Sequence, residues 1–150
     1  MAAPKPPSAA LMASPDDTEA QFYEALQQGH LDALMAVWAD DDEIVCVHPG
    51  GPRVVGPAAI RASFEAIFSN GAIPVTPQQV HRLHTISAAV HHLVEQVTVQ
   101  TNEGQRSAWV LATNVYLKTE RGWRLVVHHA SPGSIGEPPP TAGDIPSTLH

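Results

Sequence analysis

The sequence predicts an α+β domain in which helices come first and strands follow. Three observations carry that assignment. Apolar residues recur at helical spacing between Ser14 and Gly71, the texture changes to strands from Thr76 onward, and the connections "SAA", "NEG" and "ERG" are short enough to make neighbouring strands antiparallel.

The first helix is predicted in "SPDDTEAQFYEALQQG". Ser14 is placed to cap it, Pro15 suits its first turn, Asp17 holds the capping-box position and Gly29 ends it. Its apolar side carries Phe22, Ala25 and Leu26. A second helix is expected in "HLDALMAVWADDD", where Leu31, Leu34, Met35 and Trp38 recur at helical spacing, so the pair reads as a helical hairpin. After the strand "EIVCVH" and the turn "PGGPR", Pro57 opens a third helix with Ile60, Phe64, Ile67 and Phe68 as its buried stripe, and Asn70-Gly71 stops it. Strands are expected over residues 76–87, 90–101, 105–118 and 122–131. In "RSAWVLATNVYLK", Trp109, Leu111, Val115 and Leu117 share one parity while Ala108, Val110, Ala112 and Tyr116 share the other. Both faces of that strand require cover, which predicts a homodimer packed through the sheet.

A chain of 150 residues suits one domain, expected over residues 14–132. Residues 1–13 and 133–150, rich in Pro, Gly and Ser and without periodicity, read as a flexible arm and tail. Eight basic against 15 acidic residues give a formal charge of −7, with no basic track for a phosphate backbone, so nucleic acid is not an expected partner. Cys46 is the only cysteine and forms no internal disulfide. No stretch reads as a secretory core or a membrane span, and the expectation is a soluble, cytoplasmic protein with no membrane partner.

The segment from Phe22 to Phe68, "FYEALQQGHLDALMAVWADDDEIVCVHPGGPRVVGPAAIRASFEAIF", resembles the helical half of the nuclear transport factor 2-like superfamily. That superfamily includes ketosteroid isomerases, SnoaL-like polyketide cyclases and the association domain of calcium/calmodulin-dependent kinase II. The closing "ATNVYLKTERGWRLVVHHASP" resembles its last hairpin, which also carries a Trp followed by "H-x-S". The resemblance implies a cone-shaped, curved antiparallel sheet wrapped around three N-terminal helices, a cystatin-like roll with an apolar pocket for a small molecule and a dimer through the sheet. It is specific for fold and weak for activity, because this scaffold hosts enzymes, binding modules and oligomerisation domains.

The resemblance also places candidate site residues. His48, before Pro49 in "VHPGG", matches the position of the isomerases' general base, and an imidazole suits that task near neutrality. Asn114, in "TNV", matches their oxyanion-hole acid, and an amide still donates. The isomerases' tyrosine is replaced by Phe22, with Tyr23 expected to point about 100° away around the helix. Glu95 shares parity with Leu93, Val97 and Val99, so alternation turns it toward the pocket, where a carboxylate has a raised pKa or a partner. His128 turns inward by family analogy, while His129 faces the other side with Ser131. Trp38, Ile60, Val97, Val110, Tyr116 and Val126 are candidate ligand-binding walls. The pairs His81 and His84, His91 and His92, and His128 and His129 invite a metal reading, and His48, His128 and Glu95 would supply two imidazoles and a carboxylate. Adjacent strand residues face opposite ways, however, and no clustered ligand spacing supports a site, so no metal and no cofactor is expected. Cys46 reads as a small core residue.

Two functions follow from the resemblance. One is a SnoaL-like small-molecule protein of the isomerase, cyclase or lyase kind, in which His48 takes a proton, Asn114 stabilises an enolate-like oxygen and Glu95 or His128 shuttles or orients. The other is a non-catalytic ligand-binding or dimerisation module. The association domain's pocket arginine positions read Val97, Asn114 and Ala130 here, which disfavours anion binding.

Overall fold

A computed structural model of the protein describes residues 12–141. Most of the expected arm and the end of the tail lie outside them. Helix α1, Pro15–Gln28, begins as its sequence dictates: Ser14 Oγ accepts from the Asp17 amide at 3.1 Å and Pro15 fills the first turn. Gly29 closes it with φ of 65°, a left-handed conformation that glycine adopts without a Cβ penalty. Helix α2, Leu31–Ala36, is capped by His30, whose Nδ1 accepts from the Ala33 amide at 2.9 Å. It stops before Trp38, although the helical spacing runs on. The Leu125 amide donates to Val37 O and the Ala39 amide donates to Leu125 O, which draws this stretch onto the sheet as an isolated bridge.

Strands β1, Val45–Val47, and β2, Arg53–Val55, form an antiparallel pair. Helix α3, Pro57–Phe68, follows and buries Ile60 and Phe64. Four long strands complete the chain: β3 Val75–His84, β4 Ala88–Thr101, β5 Gly104–Thr119 and β6 Gly122–Ile135. All six lie in one curved, unclosed sheet of order β2-β1-β6-β5-β4-β3. The α+β architecture is therefore the expected one, with one correction. β1 runs parallel to β6, so the sheet is mixed at that seam rather than wholly antiparallel. Strand β6 also continues past Pro132, pairing Ile135 with Ala108. At its start, the Trp123 amide donates to Met12 O at 2.8 Å. A Cβ on neighbouring Gly122, which holds φ of +97°, would stand 2.7 Å from that carbonyl, so only glycine fits the turn.

One face of the sheet packs on the helices, joining Leu93, Ala112, Tyr116 and Leu125 to Phe22, Leu26, Ile60 and Phe64 in the core. Two irregularities decide which polar residues turn toward it. In β3 the register slips between Gln78 and His81, with Gln79 at φ 52°, so Arg82 and His84 align with His91 and Ala89. In β6 an extra residue at Val126 lets both Leu125 and His128 face inward, opposite Tyr116 and Asn114. The opposite face carries a continuous cross-strand row: Val55, Val45, Val127, Val115, Val90 and Leu83 are successive register partners across all six strands. Its ends remain open to solvent, with Leu83 70% and Val55 42% exposed. Among the described residues, no helix is long and apolar enough to cross a membrane.

Candidate active site

Seven polar side chains from α1 and three strands meet in the interior: Glu19, Tyr23, His91, Glu95, Asn114, Tyr116 and His128. Glu19 and Tyr23 are one turn apart on α1, on the stripe that also holds Phe22 and Leu26. His91 and Glu95 on β4 share a strand face, as do Asn114 and Tyr116 on β5. Register places His91 opposite Asn114 and Asn114 opposite His128, which collects the groups in one layer.

The hydrogen bonds form a continuous chain. Tyr23 donates its hydroxyl to Glu95 Oε2 at 2.7 Å and accepts from Asn114 Nδ2 at 3.0 Å. Asn114 Nδ2 also reaches Glu19 Oε2 at 3.4 Å, and Asn114 Oδ1 lies 2.6 Å from His128 Nδ1. A carboxylate only accepts, so the amide nitrogen must face Glu19 and the amide oxygen must face His128. His128 Nδ1 is then the donor, and its Nε2, which has no hydrogen-bond partner among the described residues, keeps the lone pair. Glu19 Oε2 further accepts from the Tyr116 hydroxyl at 2.6 Å and from His91 Nδ1 at 2.8 Å.

Burial sets the electrostatics. Glu95 is 6% exposed and its pKa rises from 4.5 to about 7. Desolvation is the main cause, opposed by the Tyr23 hydrogen bond and reinforced by the charge of Glu19. Desolvation, with Glu95 second, also raises the Tyr23 phenol well above its ordinary range, and desolvation with Glu19 does the same to Tyr116. Burial, with the positive charges of His48 and His129, pushes His128 down to about 3 and leaves it a neutral imidazole. The Cys46 thiol is pushed up to about 12 by burial and Glu95, which fits an inert core residue.

The expected residues therefore divide. Asn114, Glu95 and His128 come together in one chain. His48 stands beside it: its Nε2 lies 3.0 Å from Ser63 Oγ and 3.8 Å from Cys46 Sγ, and its ring meets the edge of Phe64. Ser63 donates its own proton to Ile60 O at 2.8 Å, so His48 donates from Nε2 and keeps Nδ1 as its basic atom. Burial lowers the His48 pKa. The expectation that Tyr23 points away is overturned, because α1 is enclosed over a wide arc and buries Phe22 and Tyr23 together. Phe22 packs on the His128 ring at 5.0 Å. Of the expected walls, Val110 is the register partner of Glu95, Val97 lies two residues along the same face, Tyr116 belongs to the chain itself and Ile60 is core. Trp38 and Val126 instead line a separate cleft of about 800 Å³, between the α2 end and Arg61, Arg121 and Arg124.

Glu19 was not singled out by sequence, nor was Tyr23 assigned to the site. Their spacing of four on the stripe of Phe22 and Leu26 is the signal that identifies both.

The Glu95 proton makes stability depend on pH. Between pH 4.5 and about 7 the folded chain holds a proton that the unfolded chain has released, so this group's contribution falls as pH rises, by on the order of 3 kcal/mol. His128 acts in the opposite sense, losing stability as pH falls from 6.5 toward about 3, so the two partly cancel in the wild type. Glu95→Gln isolates the first effect. Thermal unfolding should show its melting temperature gaining on the wild type from pH 4.5 to 7 and levelling above, whereas a constant difference would contradict the assignment.

The comparisons with known proteins agree with this architecture. A family model described as a SnoaL-like domain matches residues 16–134. A structure from Thiobacillus denitrificans, named as a candidate calcium/calmodulin-dependent protein kinase type II association domain, is 34% identical; the match covers 83% of this chain and 98% of that one with a TM-score of 0.75. A candidate dehydratase of the NTF2-like family from Streptomyces avermitilis is 27% identical, with 86% and 99% covered and a TM-score of 0.71. The CaMKII hub of S. rosetta, at 19% identity and a TM-score of 0.62 over 88% of this chain and 100% of that one, shares the fold. No curated protein matches the chain. By the family model spanning most of its length, the chain belongs to the SnoaL-like domain family.

Proposed function

We propose that this domain is a proton-transfer catalyst, an isomerase or lyase acting on a small, apolar, oxygen-bearing molecule. One observation carries the reading: a buried carboxyl, Glu95, whose pKa of about 7 leaves base and acid forms both populated at neutrality, hydrogen-bonded to a phenol that is itself held by an amide. Glu95 takes a proton from carbon next to a carbonyl. As Glu95 becomes protonated and charge moves to the carbonyl oxygen, the Tyr23 hydroxyl leaves Glu95 Oε2 and donates its one proton to that oxygen. Asn114, with its amide engaged by Tyr23, Glu19 and His128, acts as the positioning residue in place of the direct oxyanion donor expected from sequence. His128 fixes the Asn114 amide, and His48 beside Phe64 shapes the neighbouring wall. Returning the proton to another carbon completes an isomerisation. Using it to expel a β-hydroxyl as water completes a dehydration, the reaction named for the Streptomyces avermitilis relative.

The test uses 2-tetralone, a flat bicyclic ketone with acidic α-protons, in deuterated buffer. Exchange of those protons, followed by proton NMR, should be faster with the wild type than in buffer and should fall about 100-fold or more in Glu95→Gln and Tyr23→Phe. Exchange by Glu95→Gln at the wild-type rate would refute the reading.

We further propose that two copies pack through the sheet. The six-residue apolar row across the uncovered face supports this, since a lone chain leaves its ends in water. The association-domain and hub names of two relatives point the same way. Sedimentation at micromolar concentration should give twice the 16.0 kDa chain mass, reduced to one chain by Val90→Lys. A wild-type monomer would contradict it.

A further inference from the structure

At the far end of the same interior layer from Glu95, three potential ligand atoms converge where no role has been assigned. Asp16, His84 and His91 each offer one ligand atom, and these atoms all lie within 4.8 Å of one another. His84 and His91 present their Nε2 atoms at 2.8 Å, and Asp16 Oδ1 is 3.7 Å from His91 Nε2. These separations bracket the roughly 3.3 Å between donor atoms that tetrahedral coordination with bonds of about 2.05 Å requires. The three residues come from different elements. Asp16 sits in the first turn of α1, His91 on β4, and His84 at the end of β3, where the slip at Gln79 turns it to face His91.

Two features distinguish the cluster from chance surface neighbours. His91 is fully buried, and its Nδ1 donates to Glu19 Oε2 at 2.8 Å, which fixes the tautomer and aims the Nε2 lone pair at the other two groups. A carboxylate behind a histidine in this way is the usual support of a metal-bound imidazole. Asp16 and His84 are exposed, so an ion has a path from solvent and room for water on its open side. Two contacts oppose it: His84 Nε2 donates to the His91 Nε2 lone pair at 2.8 Å and must give up that proton to become a ligand, and Arg82 Nε donates to Asp16 Oδ1 at 2.8 Å and places a positive charge beside the cluster.

We propose that Asp16, His84 and His91 bind a divalent transition-metal ion, with Glu19 orienting His91 and Arg82 competing for Asp16. Two imidazoles and one carboxylate suit zinc or cobalt better than magnesium or calcium, which prefer all-oxygen sets. The proposal does not rest on the proton-transfer reading, because neither Glu95 nor Tyr23 contributes a ligand, although Glu19 belongs to both networks.

The test titrates chelator-stripped protein with Co²⁺ and follows visible absorption. The expected result is saturation at one ion per chain. His84→Ala and Asp16→Asn, both at exposed positions, should each weaken binding by at least about tenfold while circular dichroism stays unchanged. Arg82→Gln should tighten it by freeing the carboxylate. His92→Ala, which alters the histidine pair with His81 on the opposite face, should leave it unchanged. The proposal is overturned if the wild type shows no saturable binding, if both His84→Ala and Asp16→Asn keep wild-type affinity, or if His92→Ala is the variant that loses the ion.

Discussion

Two carboxyl groups buried in one apolar interior, Glu19 and Glu95, are the constraint on which the rest of the domain depends. Burying such a group is costly without donors, and no lysine or arginine side chain bonds to either of them among the described residues. Phenol, amide and imidazole groups do so instead. Glu19 Oε2 takes Tyr116, His91 and Asn114, and Glu95 Oε2 takes Tyr23 alone. This unequal division separates their roles. Glu19 ties α1 to β4 and β5, while Glu95, with a single donor, keeps its proton to about pH 7. Asn114 couples the two, and because every polar atom of its amide is engaged it also fixes the tautomer of His128.

Much of this was legible in the sequence because the signals were local. The cap at Ser14, the prolines opening α1 and α3, the glycine closing α1 and the short hairpin connections each act within a few residues, and each is present in the structure. Strict alternation from Leu93 also sufficed to turn Glu95 inward. What escaped depended on contacts between distant segments. Trp38 obeys helical spacing but is claimed by Leu125, and β1 pairs in parallel with a strand some eighty residues later. The slip at Gln79 moves Arg82 and His84 to the helix-packed face; Pro77, two residues before it, marks β3 as an edge strand but does not fix where the register shifts. Tyr23 escaped because α1 is enclosed over a wider arc than its apolar stripe of Phe22, Ala25 and Leu26 indicates.

Alternation along the long strands keeps two tasks apart. On β4 and β5 the residues facing the helices, His91, Glu95, Asn114 and Tyr116, build the polar chain, and the residues between them, Val90 and Val115, belong to the apolar row on the other face. The two faces therefore draw on alternate residues of the same strands. The SnoaL-like assignment fixes the scaffold, and the chain from Glu95 to His128 is the buried polar network that this sequence builds inside it.

The central claim is that Glu95 exchanges its proton near neutrality because it is buried with one phenolic donor. A carbon-13 NMR titration of the glutamate side-chain carboxyls, with Glu95 assigned by its absence in Glu95→Gln, reads this directly. A midpoint near 7 is predicted, and a midpoint near the ordinary 4.5 would contradict the account.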